Sequence, residues 1–182
     1  MLDLKDRFAG GESFSALLSR PKGNDDLWNA VYKRAELDRD ALDRLTRVTG
    51  EWHLLVLNEP WCGDSLNILP VIARLEEASS NIDMRMIGRD TNPDLMSAHL
   101  TGTSRSIPIV LVLDDSFAER GWWGPRPAAL QRWVLEEGLA LPKPDRYRHI
   151  RGWYARDRGK AVVSEILGII EKSEGMNAPA TH

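Results

Sequence analysis

The stretch Trp52–Leu75, WHLLVLNEPWCGDSLNILPVIARL, decides the fold of this chain. Its first six residues, 52–57, form a short apolar run that is typical of a buried strand. The run Ser65–Leu75 has helical periodicity, and Pro70 is expected to kink that helix. Cys62, the single cysteine of the sequence, lies between the predicted strand and the predicted helix.

A thiol at this junction lies where its ionised form is favoured. Backbone N–H groups and the dipole at a helix N-terminus stabilise a thiolate. Asp64, two residues on, opposes this by like charge, so the net effect stays open. At the position where a dithiol enzyme needs its second cysteine, three residues after Cys62, the chain has Ser65. The motif therefore indicates a redox scaffold whose redox couple is incomplete.

Length and composition narrow the class of protein. A chain of 182 residues fits one domain, or one domain with extensions. It can bury about 70% of its unfolded surface and needs no disulfide or metal to fold. The net charge of −3 and the pI near 5.8 give no basic surface for nucleic acid or membrane. The histidines are scattered, so we expect neither a metal nor a bound cofactor.

The same composition predicts a cytoplasmic location. The first 20 residues lack a secretory signal pattern, and no stretch approaches the ~20 apolar residues of a membrane span. A single cysteine cannot form an internal disulfide, which fits a reducing compartment.

Hydrophobic periodicity predicts two helices, then β-α-β-α-β-β-α, then a long helix. The predicted segments are a short helix within 1–20, a helix from Asp25 or Asp26 to Val48, strands at 52–57, 82–87, 107–113 and 117–123, helices at 65–75, 93–100 and 128–137, and a long helix from 145 to 172. The β-α-β part requires a parallel strand pair, and the tight turn at 114–116 an antiparallel one. We therefore predict an α/β fold with a mixed central sheet flanked by helices.

The two longest predicted helices have recognisable apolar faces. The first is expected to bury Leu27, Val31, Ala35, Leu42 and Leu45, and the second Ile150, Tyr154, Val162, Ile166, Ile169 and Ile170.

The element order and the motif around Cys62 resemble the thioredoxin fold. Trp61-Cys62-Gly63 places the thiol at a helix start, and Pro70 follows Cys62 by eight residues, where thioredoxins kink the same helix. Asp90-Thr91-Asn92-Pro93 follows the next strand, as a similar segment does in thioredoxins. Ile107-Pro108 opens the strand where thioredoxins place a cis-proline beside the thiol. This resemblance covers about residues 50–137.

A bacterial subgroup of thioredoxin-like proteins is more similar still. Its members carry Glu-x-Trp-Cys-Gly-Asp-Ser, Arg-Ser-Ile-Pro, Trp-Gly-Pro-Arg-Pro and a later helix with Trp-Tyr. These motifs match residues 59–65, 105–108, 123–127 and 153–154, and extend the similarity through about residue 170. The subgroup has no settled activity, so the resemblance implies the fold more than the function.

On this basis the chain divides into four predicted parts. They are an N-terminal helical extension at 1–49, a thioredoxin-like core at 50–140, a C-terminal helix packed on the same domain at 141–175, and a tail at 176–182.

The chain departs from thioredoxins at the positions that serve the second cysteine. That cysteine is Ser65 here, and the proline between the two cysteines is Asp64. The resemblance maps the buried aspartate that accepts a proton in thioredoxins to Val56, and its lysine partner to Met86. The apparatus that deprotonates a resolving thiol is thus missing together with that thiol.

Two residues are the predicted catalytic pair. Cys62 is expected to act as a nucleophile. The Ser65 hydroxyl is expected either to hydrogen-bond the thiolate or to serve as an ordinary first-turn serine.

The substrate-binding surface is predicted to include Trp61, Gly63, Asp64, Ile107, Pro108 and Arg126. The resemblance implies that the Ile107–Pro108 bond is cis and exposes backbone to an extended substrate. Arg126, fixed between two prolines, is expected to hold a carboxylate of a small thiol or a peptide.

Three functions compete on this evidence. The first is a monothiol thiol–disulfide oxidoreductase that acts on a protein or small-molecule disulfide, with a low-molecular-weight thiol as co-substrate. The second is a non-catalytic peptide-binding module of the same fold. The third is a dimer that binds an iron–sulfur cluster, as monothiol glutaredoxins with Cys-Gly-Phe-Ser do; the charge of Asp64 disfavours it. We expect a monomer or weak dimer.

Overall fold

The computed structural model describes residues 3–20 and 22–177 of the chain. Helices and strands alternate in the order expected for an α/β protein. The helices are α1 (Leu4–Ala9), α2 (Phe14–Ser19), α3 (Asp25–Arg34), α4 (Arg39–Leu45), α5 (Gly63–Glu77), α6 (Pro93–Ala98), α7 (Ala128–Glu136), α8 (Lys143–Asp157) and α9 (Lys160–Asn177). The strands are β1 (Trp52–Asn58), β2 (Ile82–Gly88), β3 (Ile109–Leu113) and β4 (Glu119–Trp123).

The four strands form one sheet in the order β2-β1-β3-β4. Strands β1 and β2 are parallel, whereas β3 is antiparallel to both β1 and β4. Every residue of β1 and β3 is buried, because helices or the N-terminal segment cover both faces of these central strands. The prediction of an α/β fold with a mixed, helix-flanked sheet is confirmed.

The sheet separates two hydrophobic cores. On one face, Leu54 and Val56 of β1 pack with α5 and α9, and this larger core also includes residues from α2 to α4. On the other face, Leu55 and Leu57 pack with Phe8 of α1 and Leu95 of α6. Cys62 belongs to this second, smaller core, so its thiol lies at the edge of an apolar cluster.

The N-terminal segment forms two helices instead of the single one expected within 1–20. Between α1 and α2 the chain crosses the free edge of the sheet. There Glu12 and Met86 exchange two backbone hydrogen bonds, each 2.8 Å from nitrogen to oxygen. The exchange covers part of the β2 edge, which would otherwise present unpaired backbone groups.

The predicted helix from Asp25 to Val48 is also wrong in its continuity, since α3 ends at Arg34 and α4 begins at Arg39. The Arg74 guanidinium of α5 caps the C-terminal end of α3. Its Nε and Nη2 donate to the carbonyls of Ala35 and Tyr32, at 3.0 and 3.1 Å. Asp38 then starts α4 by accepting a hydrogen bond from the Ala41 amide.

The buried face of this segment matches the expected one in part. Leu45 is buried in the larger core and Val31 and Ala35 pack against it, as expected. Leu27 and Leu42 are exposed, and Trp28 and Ala41 are buried in their place.

The predicted C-terminal helix is likewise two helices, α8 and α9. The chain turns at Arg158 and Gly159, which both have positive φ. A Cβ atom on Gly159 would lie 2.5 Å from the Val71 methyl carbons of α5, so the turn needs a residue without a side chain. Helix α9 continues to Asn177, and the rest of the predicted tail, residues 178–182, lies outside the described residues.

Most of the stripe expected for this region is nevertheless buried. Ile150 and Tyr154 of α8 and Val162, Ile166 and Ile170 of α9 all belong to the larger core, and Ile169 packs against it. No helix among the residues that the structure describes is long and apolar enough to cross a membrane.

The turn at Gly159 gives a stability prediction. We expect Gly159→Ala to lower the free energy of unfolding by about 2 kcal/mol or more, because the methyl group combines positive φ with a clash against Val71. Gly168→Ala, inside α9 with open space around its Cβ, is the matched control and is expected to stabilise by about 0.5–1 kcal/mol. Urea unfolding of both variants measures the difference, and equal effects would contradict this account of the turn.

His99 anchors the start of the loop that leads to Ile107. Its buried ring bonds the Leu95 carbonyl through Nδ1 at 2.8 Å and the Glu119 carboxylate of β4 through Nε2 at 3.0 Å. The hydrogen bond to Glu119 raises the pKa of His99, against the opposite effect of burial, and the Leu95 carbonyl adds to the rise. The ring therefore joins the end of α6 to β4, and its bond to Glu119 favours the protonated form.

This pair predicts a pH-dependent stability. Because the pKa of His99 is raised in the folded state, its contribution is fully present below the ordinary value of about 6.5 and is lost as pH rises through the raised value. We expect Glu119→Gln to destabilise more at about pH 5.5 than at about pH 8.5. Thermal unfolding across pH tests this, with the exposed Glu136→Gln as control; a pH-independent loss would exclude the charged pair.

Candidate functional site around Cys62

Cys62 is the N-cap residue of α5, placed there by strand β1 and a turn through Glu59. The Cys62 amide donates to the Glu59 carbonyl at 3.0 Å, which closes the turn. The Sγ atom accepts a hydrogen bond from the Ser65 amide at 3.5 Å, and its S–H is directed at the Ile107 carbonyl at 3.4 Å. Only 7% of the residue is exposed. The sulfur thus accepts a hydrogen bond from one first-turn amide of a 15-residue helix.

The Ile107–Pro108 segment lies against this thiol. Its peptide bond is cis, as is Gly124–Pro125. The two segments pack together closely: a Cβ on Gly124 would lie 2.3 Å from the Pro108 carbonyl oxygen, and the φ of Gly124 is 128°. Only glycine permits this approach. It brings the loop that carries Arg126 to the first turn of α5.

An exposed rim surrounds the buried sulfur. Trp61 is 62% exposed, and the Arg89 guanidinium lies 5.1 Å from the centre of one of its rings. Gly63 is exposed as well, and nothing lies within 4 Å of the place where its Cβ would be. Trp123, by contrast, is a buried residue whose Nε1 donates to Glu165 at 2.6 Å.

Asp64 is the centre of a buried polar cluster, which we call the Asp64 network: Asp64, Arg126, Gln131 and Tyr154. Arg126 donates to both carboxylate oxygens, from Nη2 at 2.6 Å and from Nε at 3.1 Å. The Tyr154 hydroxyl donates to Oδ1 at 2.8 Å, and Gln131 accepts from Arg126 Nη1 at 3.0 Å. The side chains of Asp64 and Arg126 are 8% and 16% exposed.

The electrostatics of the network favour a charged Arg126 and a neutral Tyr154. Burial acts to lower the pKa of Arg126, but the charge of Asp64 and its hydrogen bonds outweigh this and raise it. Burial, together with the neighbouring Asp64 carboxylate, raises the pKa of Tyr154 well above its ordinary value. The hydroxyl therefore stays a donor, and the guanidinium stays a cation.

A comparison with known proteins adds the family. The family model described as Thioredoxin matches residues 11–144. The chain belongs to the thioredoxin family. Comparison with the curated proteins found no match.

Two solved structures resemble this thioredoxin-family chain. One is a protein of unknown function from Pseudomonas aeruginosa, 25% identical, with a TM-score of 0.77, covering 95% of this chain and 99% of that one. The other is an HIV epitope-scaffold, 24% identical, with a TM-score of 0.74, covering 92% and 97%. The second likeness shows the fold alone. The subgroup defined by Trp-Cys-Gly-Asp-Ser stays a prediction.

Ser65 differs from the expectation of a thiolate partner. Its hydroxyl is fully buried and has no hydrogen-bond partner among the described residues, whereas its backbone amide is the group that contacts Cys62 Sγ. The helix start positions the amide toward the sulfur and leaves the hydroxyl on the buried side of α5. Of the two roles expected for this hydroxyl, the hydrogen bond to the thiol is therefore not present.

Two further departures from thioredoxin sequences, at the proton acceptor and its lysine partner, are buried apolar side chains. Val56 and Met86 both lie in the larger core. The structure also gives Arg126 a different neighbour from the one expected, since two edges of its guanidinium face Asp64 and Gln131. A role for Arg126 in holding a substrate carboxylate stays a prediction.

Sequence reasoning missed Tyr154 and Gln131 as site residues. Tyr154 was assigned to the apolar stripe of the last helix, and it is indeed buried, but its hydroxyl reaches Asp64 across 90 residues of sequence. The available signal was the Trp153-Tyr154 motif, one of the motifs that carried the resemblance. Asp64, Arg126 and Tyr154 come from three of those motifs, and the fold brings them together.

The Tyr154 hydroxyl gives a second stability prediction. We expect Tyr154→Phe to lower the free energy of unfolding by about 1.5–3 kcal/mol, because it removes a buried hydrogen bond to a carboxylate. Tyr147→Phe, on the same helix with a partly exposed ring, is the matched control and is expected to change little. Chemical denaturation of both variants makes the comparison. A loss for Tyr154→Phe no larger than that for Tyr147→Phe would contradict a stabilising role of the Tyr154 hydrogen bond.

Proposed function

We propose that the protein is a monothiol thiol–disulfide oxidoreductase in which Cys62 performs the exchange and a low-molecular-weight thiol completes it. The observation that carries this proposal is the position of Sγ at the N-terminus of α5, within hydrogen-bond distance of the Ser65 amide. An N–H donor and the positive end of the helix dipole both stabilise a thiolate, which is the nucleophilic form.

The exchange balances with one protein cysteine. On a client that carries the small thiol as a mixed disulfide, the Cys62 thiolate attacks the sulfur of the small thiol, and the client thiolate leaves and takes a proton. A second small thiol, as its thiolate, then attacks that same sulfur. The Cys62 thiolate leaves, and the two small thiols form a disulfide. One disulfide is consumed and one is formed: the client leaves as a thiol, and one free small thiol is consumed.

The external thiol is required by the composition of the chain. Cys62 is the single cysteine of the sequence, so the chain has no second thiol that could release the small thiol bound to Cys62. A serine hydroxyl does not replace it, and the Ser65 hydroxyl is buried within the base of α5. The apolar residues Val56 and Met86 fit the same scheme, because no buried resolving thiol needs a proton acceptor.

The surface around Cys62 supports an extended client. The sulfur is mostly buried, so a disulfide has to enter between the exposed Trp61 and the Ile107–Pro108 segment. Trp61 offers an aromatic face, and the open space at Gly63 leaves the approach to the helix start unobstructed. The client is thus proposed to be a protein disulfide presented on a flexible segment, or a small-molecule disulfide.

A peptide-binding module without chemistry is the second candidate. The observation that favours it is the exposure of Trp61, together with the Arg89 cation beside its ring. An exposed aromatic residue paired with arginine is a common anchor at protein interfaces. In this alternative, client capture persists in Cys62→Ala; in the oxidoreductase, covalent capture is lost.

The primary test is turnover of a glutathione mixed disulfide. We expect the wild-type protein to release the client thiol with glutathione or another small thiol as reductant, and Cys62→Ser to fall to the uncatalysed rate. Circular dichroism and thermal unfolding control for the fold of the variant. Background rates for the wild-type protein with every small thiol tried, or undiminished turnover by Cys62→Ser, would overturn the proposal.

Intact-mass spectrometry identifies the co-substrate. Protein purified without reductant is expected to carry an adduct on Cys62 whose mass is that of the small thiol minus the hydrogens lost in forming the disulfide. Treatment with dithiothreitol is expected to remove the adduct, and Cys62→Ser is expected to carry none.

A further inference from the structure

Two opposite charges lie beside the candidate nucleophile. Asp64 is in the first turn of α5, two residues after Cys62, and its carboxylate opposes a second negative charge on the sulfur. Arg126 binds both oxygens of that carboxylate and brings a positive charge to the same turn. The sulfur therefore experiences a carboxylate and a guanidinium that act in opposite directions.

These charges are poorly screened, because both side chains are almost removed from water. Charge interactions persist over longer distances in such surroundings than at an exposed surface. Cys62 is within their range, because it is the N-cap residue of the helix whose first turn carries Asp64.

The other charged groups on the segments around Cys62 have partners of their own or face solvent. Arg89 pairs with Asp90 at 2.9 Å, and Glu59 accepts a hydrogen bond from the Asp90 amide at 3.1 Å. Arg105 is exposed to solvent. From α8 the facing group is the neutral Tyr154 hydroxyl, which donates to Asp64. The Asp64–Arg126 pair is thus the buried pair of opposite charges at this site.

We propose that the Asp64–Arg126 pair sets the pH at which Cys62 ionises, with Arg126 as a positioning residue that cancels the charge of Asp64. This inference rests on the proposed function for its purpose, since a thiol that exchanges disulfides has to be ionised at cellular pH. Tyr154 and Gln131 contribute by fixing the orientation of the pair, and they carry no charge.

The sign of the response separates this role from a purely structural one. Removing the anion with Asp64→Asn leaves Arg126 unopposed, so Cys62 is expected to ionise at lower pH. Removing the cation with Arg126→Gln leaves Asp64 unopposed, so Cys62 is expected to ionise at higher pH. If the ion pair only held the two segments together, the two substitutions would not shift the ionisation of Cys62 in opposite directions.

The measurement uses the single cysteine of the chain. The rate of alkylation by iodoacetamide, a neutral reagent, is followed against pH by intact mass, and its midpoint reports the ionisation of Cys62. We expect shifts on the order of one pH unit, downward for Asp64→Asn and upward for Arg126→Gln. The double variant is expected to return close to the wild-type midpoint.

Arg126→Lys keeps the test decisive if a neutral variant does not fold. Lysine retains the charge but not the two-pronged geometry of the guanidinium. A charge-balancing role predicts a midpoint near that of the wild type, whereas a geometric role predicts that Lys and Gln behave alike. Circular dichroism selects the variants that are folded.

A second aspartate–arginine pair provides the matched control. Asp114, at the end of β3, is buried and binds Arg120 of β4. Asp114 and Ile107 lie at opposite ends of β3, whose five residues span about 17 Å. Asp114→Asn and Arg120→Gln are therefore expected to leave the alkylation midpoint unchanged.

The outcomes distinguish this inference from the proposed function. Opposite shifts at Asp64 and Arg126, with none at Asp114 and Arg120, support the charge balance. Shifts in the same direction, or none in folded variants, overturn it even if the wild-type protein reduces mixed disulfides. Alkylation needs no client, so opposite shifts in a protein without turnover would retain the charge balance and reject the oxidoreductase.

Discussion

The buried contact between Asp64 and Arg126 is the interaction on which the arrangement of the site depends. It joins the first turn of α5 to the loop before α7, and the Tyr154 hydroxyl extends it to α8. Burying two charges is costly unless each is paired and hydrogen-bonded, and here the guanidinium binds both carboxylate oxygens. Three segments that are distant in sequence are thereby held around one helix start.

The site also differs from that of a dithiol thioredoxin at two positions. The place between the two cysteines, occupied by proline in thioredoxins, holds the acid of a buried ion pair. The place of the second cysteine holds a serine whose hydroxyl is buried without a partner among the described residues. The polar groups of the site are therefore arranged around the helix start and not around a second thiol. This is consistent with an exchange that relies on an outside reductant.

The sequence predicted the two central strands well because they are short apolar runs. Residues 52–58 and 109–113 are buried on both faces, and such runs are visible without knowledge of their neighbours. The helix breaks were not visible, since their causes lie elsewhere in the chain. Arg74 bonds the carbonyls that end α3, and Val71 leaves no room for a side chain at Gly159. In the site, Cys62 was found from its motif. The contact of Tyr154 with Asp64 could not be found in this way, because it depends on how α8 packs.

The sequence by itself determined where a thiol meets a helix N-terminus, because a strand, a glycine and an amphipathic run are local patterns. It also determined that no second thiol exists, which is a matter of composition. Only the tertiary structure decided which groups surround that thiol. Arg126 and Tyr154 lie 62 and 90 residues from Asp64, and hydrogen bonds over such separations follow from how the helices pack on the sheet. The electrostatic setting of Cys62 is thus a property of the folded chain, since no local pattern specifies which distant charge will be buried beside it.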